Sequence, residues 1–279
     1  MKFDPAQIKC IVSDLDGTLL LSNAELGERT VAAVRACTAR GLQVILATGR
    51  SLMAAEPYRA QLDLKGPMIY YNGAELVHMP EGRIEESHLF PVEAAIYCVN
   101  LARKRHIHFH VFFIDDADFS TEILMSENPS NAAAVYTERT GLNFQYGDLI
   151  KSLNSAAPPQ CAKGLFIADD SELEDVRRII NAKFGTTLNI VKSASTFLEV
   201  LNNRASKGAA LESVLKTTGW LPKEVIAFGD EENDISMLKT AGHAVAPANA
   251  KDAVKAAAQT IIGNHDDESV AAFLETHFL

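Results

Sequence analysis

A chain of 279 residues, 47% of them hydrophobic, can bury one large core or two modest ones, and no apolar run approaches the roughly 20 residues of a membrane helix. A formal net charge of −10 argues against nucleic acid or an anionic membrane as a partner. Cys10, Cys37, Cys98 and Cys161 are widely spaced with no CxxC, which argues against zinc ligation and a disulfide framework, and the first residues lack the apolar stretch of a signal peptide, so a cytoplasmic location is expected.

Residues 8–13 read as a short buried strand that runs into Asp14-Leu15-Asp16-Gly17-Thr18-Leu19. In open α/β sheets, ligands sit beyond the carboxyl ends of such strands. Asp14 and Asp16 put two like charges in one turn there, so a cation, a shared proton or a basic side chain is needed to stabilise them. An aspartate can also serve as a nucleophile. A helix near 25–40, stopped at Gly41, precedes a second strand over 42–47 that ends at Thr48-Gly49-Arg50. A helix over 51–62 and a strand over 68–71, closing at Asn72-Gly73, complete a βαβ alternation that implies a parallel sheet with right-handed crossovers.

The pattern changes near 80–90. A helix over 92–105, strands over 107–114 and 117–124, a helix over 130–139, a strand over 161–168, a helix over 171–184 and two short strands over 187–192 and 196–201 read as α+β. Ser171 and Glu174 have capping-box spacing. His106, His108 and His110 recur at period two, which places them on one strand face, solvated or facing substrate rather than holding a metal. Asp115, Asp116 and Asp118 suit a hairpin turn. Tyr70, Tyr71 and Trp220 are read as packing residues. From residue 206 the first style returns: a helix over 206–218, a strand over 225–228 ending at Gly229-Asp230, a helix from about 233, short strands near 244–246 and 260–262, and a last helix near 268–277. The expected fold class is therefore α/β, a Rossmann-like parallel-sheet core (1–84 and 202–279) with an inserted α+β domain (85–201).

Four elements share one placement, a strand end or helix start in the α/β portion: Asp14/Asp16, Thr48-Gly49-Arg50, Lys207-Gly208 and Gly229-Asp230-Glu231-Glu232-Asn233-Asp234. They supply carboxylates for a metal, a hydroxyl and amides for phosphate oxygens, and an ammonium against developing charge, which is what phosphoryl transfer needs. A calcium loop is a poor alternative for DxDG, because Gly17 comes too early and no glutamate closes the loop.

In this ordered set the chain resembles the haloacid dehalogenase-like phosphatases, specifically the Cof-type group with a large α/β cap. Asp14-Leu15-Asp16-Gly17-Thr18-Leu19 matches the first motif, Thr48 the second in T-G-R form, Lys207 the third, and Gly229-Asp230 with Asn233-Asp234 the fourth. Asn72-Gly73-Ala74 resembles a recurring Cof-group segment. The resemblance implies Asp14 as nucleophile and Asp16 as acid and base. It implies Mg²⁺ on Asp14, the Asp16 carbonyl and Asp230, with Asp234 as an additional or more distant ligand. Phosphate contacts would come from Thr48, Gly49, Lys207, Asn233 and the Leu15 amide. Arg50 is read as a structural ion pair rather than a substrate contact. The implied activity is Mg²⁺-dependent hydrolysis of a small phosphorylated metabolite, a sugar phosphate or a phosphorylated cofactor, through an aspartyl-phosphate, with the cap closing over the site. A phosphomutase is the enzymatic alternative, for which clustered cap residues such as Arg103, Lys104 and Arg105 would speak. A receiver-like signalling module is a remote non-enzymatic one.

Overall fold

A computed structural model describes residues 4–114 and 122–279. They divide into two compact units: Met1–Ser51, Ala55–Glu86 and Ser206–Leu279 form the first, Leu52–Ala54 and Ser87–Ala205 the second.

The chain opens with β1 (Cys10–Ser13), α1 (Glu28–Ala39), β2 (Gln43–Leu46), α2 (Leu52–Leu62), β3 (Gly66–Tyr70), β4 (Glu75–Met79) and β5 (Arg83–Ser87). The insert follows with α3 (Val92–Arg105), β6 (His108–Ile114), β7 (Ile123–Ser126), α4 (Asn131–Thr140), β8 (Phe144–Tyr146), α5 (Leu149–Leu153), β9 (Gln160–Ile167), α6 (Asp170–Phe184), β10 (Leu188–Ala194) and β11 (Phe197–Asn202). The chain then returns through α7 (Lys207–Thr218), β12 (Val225–Phe228), α8 (Ile235–Thr240), β13 (His243–Ala246), α9 (Asp252–Ala257), β14 (Thr260–Ile261) and α10 (Ser269–Phe278).

Five strands in the order β14-β13-β12-β1-β2 make a fully parallel sheet, with β1 between β12 and β2. Every residue of β1 and β12 is buried, as apolar runs with helices on both faces require. Cys10, Val12, Ile45 and Ala227 pack on one face against Ala210, Leu211 and Val214 of α7 and Met237 of α8. Beyond the opposite face, Phe228 meets Phe273 of α10 edge-on at 5.4 Å. The expectation that the third strand extends this parallel sheet is corrected. β3 runs beside the end of β2 in the parallel sense, at the isolated bridge Ala47–Ile69, but its full ladder is in a separate antiparallel sheet β3-β4-β5. Pro67 lacks an N–H for a second ladder, and left-handed backbone at Tyr71, Asn72 and Gly73 turns the chain straight back into β4.

The insert carries a six-stranded sheet, β10-β11-β9-β6-β7-β8, antiparallel except at β7–β8. Val99 and Cys98 of α3, Leu149 of α5 and Leu173, Val176 and Ile180 of α6 pack on Phe109, Val111 and Phe113 of β6. The histidine expectation is corrected in two respects. His106 ends α3 in left-handed conformation (φ 55°), so it does not join the strand. His108 and His110 do share a face, but it is not solvated: His110 is 0% exposed, its Nδ1 lies 2.9 Å from His108 Nε2, and Phe112, Tyr136 and Phe144 surround it. The predicted capping box of α6 does not form. The helix starts one residue earlier, after Asp169, which leaves Ser171 inside it, and Glu174 and Asp170 instead reach Lys192 at 2.5 and 2.7 Å. Asp115, Asp116 and Asp118, with most of the strand expected at 117–124, lie outside the described residues.

Candidate active site

The ladder between β1 and β12 continues one residue past β1, where the Asp14 amide donates to the Phe228 carbonyl at 3.0 Å. The chain then coils through Leu15–Leu19, closed by Leu20 N–H to the Leu15 carbonyl at 2.8 Å. Gly17 makes this turn possible twice over. Its φ is +74°, and a Cβ there would stand 2.3 Å from Asp230 Oδ2. The missing methyl is what lets Asp230, just after β12, approach the turn and accept a 2.8 Å bond from Thr18 Oγ1. Asn249 Nδ2 donates to the Gly17 carbonyl at 2.8 Å and pins the same turn from the segment after β13.

Lys207 is the first residue of α7, behind the Ser206 N-cap, whose hydroxyl accepts from the Ala209 amide. A cation at a helix N-terminus opposes the helix dipole, so its placement needs anions. Two are present: Lys207 Nζ, with no exposed surface, lies 2.7 Å from Asp14 Oδ1 and 2.6 Å from Asp234 Oδ1. The other Asp234 oxygen accepts from the Asp230 and Glu231 amides at 2.9 and 3.0 Å, which fixes the loop after β12. Ligand oxygens of Asp14, Asp230 and Asp234 all lie within 4.8 Å of one another.

Three buried carboxylates face a single ammonium. Burial raises the Asp14 carboxyl to about 7, with Asp234 and Asp16 adding to the shift and Lys207 opposing it. Burial raises Asp230 to about 9, reinforced by Asp234 and Asp14. Burial works against the Lys207 ammonium, but Asp14 and Asp234 outweigh it and hold that group above its ordinary range. The cluster is short of positive charge and offers only oxygen donors, which is the donor chemistry a hard divalent cation takes.

Asp16 stands apart from the other three. Its carboxylate is gripped by Arg50, Nε to Oδ2 at 2.7 Å and Nη2 to Oδ1 at 2.8 Å. Thr48 is buried beside it, its Oγ1 accepting from the Arg50 amide at 3.0 Å; a hydroxyl that accepts still has its own proton to donate. Gly49 joins these two residues, and Leu15, fully buried, opens the turn after Asp14. Asn233 Nδ2 donates to Asn72 Oδ1 at 2.8 Å. The Asn72 amide donates to the Thr48 carbonyl at 2.9 Å, and Gly73 passes so near α7 that a Cβ would meet the Ser206 carbonyl at 2.2 Å. The Asn72-Gly73 turn therefore ties the ends of β2 and β12 and the start of α7 together. Sequence reasoning noted that pair as a strand end without giving it this part, and it did not single out Ser206 or Asn249.

Residues 11–274 match the haloacid dehalogenase-like hydrolases as a family. The chain belongs to that family. It is 30% identical over 281 residues to pyridoxal phosphate phosphatase YbhA of Escherichia coli (strain K12), spanning 97% of this chain and 99% of that one. It is also 30% identical over 268 residues to HMP-PP phosphatase of Serratia proteamaculans (strain 568), spanning 95% and 93%. A haloacid dehalogenase-like hydrolase from Bacteroides thetaiotaomicron superposes with a TM-score of 0.82 at 27% identity, covering 97% of this chain and 100% of that one. The protein is thus a phosphatase of the Cof type, a parallel-sheet α/β core carrying an inserted unit built on a mainly antiparallel sheet. No helix among the described residues is long and apolar enough to cross a membrane.

Proposed function

We propose that the protein hydrolyses a small phosphorylated metabolite in two steps at Asp14, with Mg²⁺ bound. The observation that carries this reading is Lys207 Nζ shared between Asp14 and Asp234, with Asp230 within 4.8 Å of both. Asp14 Oδ1 is held by Lys207, which aims the carboxylate and leaves its second oxygen to attack phosphorus. The bond from phosphorus to the leaving oxygen breaks as the bond to Asp14 forms. Asp16 gives that oxygen its proton, then takes one from the water that displaces Asp14.

Asp14, the Asp16 carbonyl and Asp230 would hold Mg²⁺. Asp234, engaged at Oδ1 by Lys207 and at Oδ2 by two amides, positions Lys207 and the Asp230 loop. The ion would supply charge neutralisation to the phosphoryl oxygens. The Leu15 amide, Thr48 Oγ1, Gly49, Lys207 and Asn233 line the phosphate's place, and the insert near 85–201 selects the rest of the substrate. The printed activities of the two relatives, on pyridoxal phosphate and HMP-PP, support a phosphorylated cofactor or its precursor. A mutase is not favoured: Arg103 pairs with Glu127 and Arg105 with Glu172, so those arginines do not form the free basic cluster that a second phosphate needs.

A Mg²⁺-dependent screen of phosphorylated cofactors, sugars and nucleotides, compared by kcat/KM, tests the reading. Free phosphate released in step with dephosphorylated product is expected. Activity that survives exhaustive chelation, or isomerised sugar phosphate without phosphate release, contradicts it.

A further inference from the structure

Arg50 is bound on every side. Its Nε and Nη2 form the fork on Asp16, and its Nη1 donates to Tyr58 Oη at 3.2 Å. The guanidinium carbon sits 4.9 Å from the Tyr58 ring centroid, and Tyr58 Oη is itself tied to the Ala24 carbonyl at 2.9 Å. The Arg50 amide bonds Thr48 Oγ1 and its carbonyl accepts from Tyr71 N–H at 3.0 Å. The side chain is 8% exposed, whereas that of Asp16 is 28% exposed. A buried, multiply bonded guanidinium thus holds a carboxylate that is partly open to solvent.

We infer that Arg50 is the positioning residue of Asp16, fixing the carboxylate in the single rotamer from which it exchanges a proton with the leaving oxygen. The inference rests on the acid role of Asp16 proposed above. A partly exposed carboxylate without such a partner samples several staggered rotamers. A bidentate fork removes that freedom by fixing both oxygens in one plane. Lysine cannot reproduce this, because a single ammonium does not span both oxygens in a fixed plane. Three of the five guanidinium N–H donors are thus given to Asp16 and Tyr58.

A leaving-group comparison tests this. An alkyl phosphomonoester such as glycerol 2-phosphate needs its leaving oxygen protonated, whereas p-nitrophenyl phosphate does not. Arg50→Ala should lower kcat/KM about 10²-fold for the alkyl ester, the scale of a misplaced catalytic group, and less than about fivefold for the aryl ester. The inhibition constant of inorganic phosphate should stay within about twofold of wild type, because substrate binding is untouched. Arg50→Lys, which keeps the charge and serves if the alanine variant does not fold, should show the same split. Equal losses on both esters, a parallel weakening of phosphate inhibition, or full activity in Arg50→Lys overturns the proposal. Asp16→Asn is the reference. If it lacks the leaving-group split, the acid role itself fails; if it shows the split and Arg50→Ala does not, the positioning role alone fails. With both roles correct, adding Arg50→Ala to Asp16→Asn lowers the alkyl rate no further.

Discussion

Lys207 shows how one residue joins stability to chemistry. Buried without exposed surface between Asp14 and Asp234, it is the counter-charge that lets two carboxylates remain in the interior. Lys207→Met should lower the unfolding free energy of the metal-free protein by about 3–5 kcal/mol, the usual result of breaking a buried pair, as read by urea denaturation. A change below about 1 kcal/mol would mean that the pair is not coupled to folding. Gly17 and Gly41 separate backbone strain from close approach. Both have positive φ, but only Gly17 has Asp230 where a methyl would go, while nothing lies within 4 Å of a Cβ at Gly41. Gly17→Ala and Gly41→Ala should therefore each cost about 1 kcal/mol or more in stability, yet only Gly17→Ala should lower kcat/KM, by at least about tenfold. Comparable activity in the two variants would show that the Asp230 approach is not needed.

At the scale of elements, the parallel strands were legible because β1, β2 and β12 are apolar runs that stop abruptly at polar, glycine-rich ends. Those ends carry Asp14, Thr48 and Asp230, so the strand stops, with Lys207 at the start of α7, marked the candidate site as well as the sheet. The β3-β4-β5 sheet was not legible. Its direction is set by left-handed backbone at Tyr71 and Asn72, and no period in the sequence encodes that. Arg50 was legible as one half of an ion pair but its partner Asp16 was not, since the fork brings together two separate motifs and Tyr58 of α2. The histidine strand was misjudged for a similar reason: period two gives the face, not what covers it. That cover has a measurable effect. Burial lowers His108 from 6.5 to about 4, and burial, His108 and Lys163 lower His110 well below its ordinary value. Groups with depressed folded values are neutral when folded and take up protons on unfolding. Their contribution is complete above about pH 6.5 and is lost as the pH falls toward 4. At 1.36 kcal/mol per unit, His108 alone accounts for about 2 kcal/mol by pH 5. Hydrogen exchange of β6 amides across pH 7 to 5 should show that loss, and His108→Gln should flatten it. An unchanged slope would place the pH dependence elsewhere.

For the whole molecule, the acidic cluster makes metal binding part of stability. Asp14 and Asp230 are both raised by burial and by the neighbouring Asp234, so bringing a divalent cation to them releases protons and relieves repulsion in the folded state only. Mg²⁺ at a hundred times its dissociation constant should add about 2.7 kcal/mol to the unfolding free energy, and Asp230→Asn should abolish most of that gain. Equal thermal shifts in both proteins would remove Asp230 from the metal site. The central chemical step is more direct to observe. Rapid acid quench of a single turnover, followed by mass spectrometry of the peptide containing Asp14, reports whether phosphorus is ever bonded to the protein. Asp16→Asn, which slows the water attack, should make such a species accumulate. A phosphoryl group on Asp14 that forms before free phosphate, and is absent from Asp14→Asn together with turnover, is the predicted result. Stoichiometric phosphate release with no phosphorylated Asp14 at any quench time, or turnover persisting in Asp14→Asn, would contradict it.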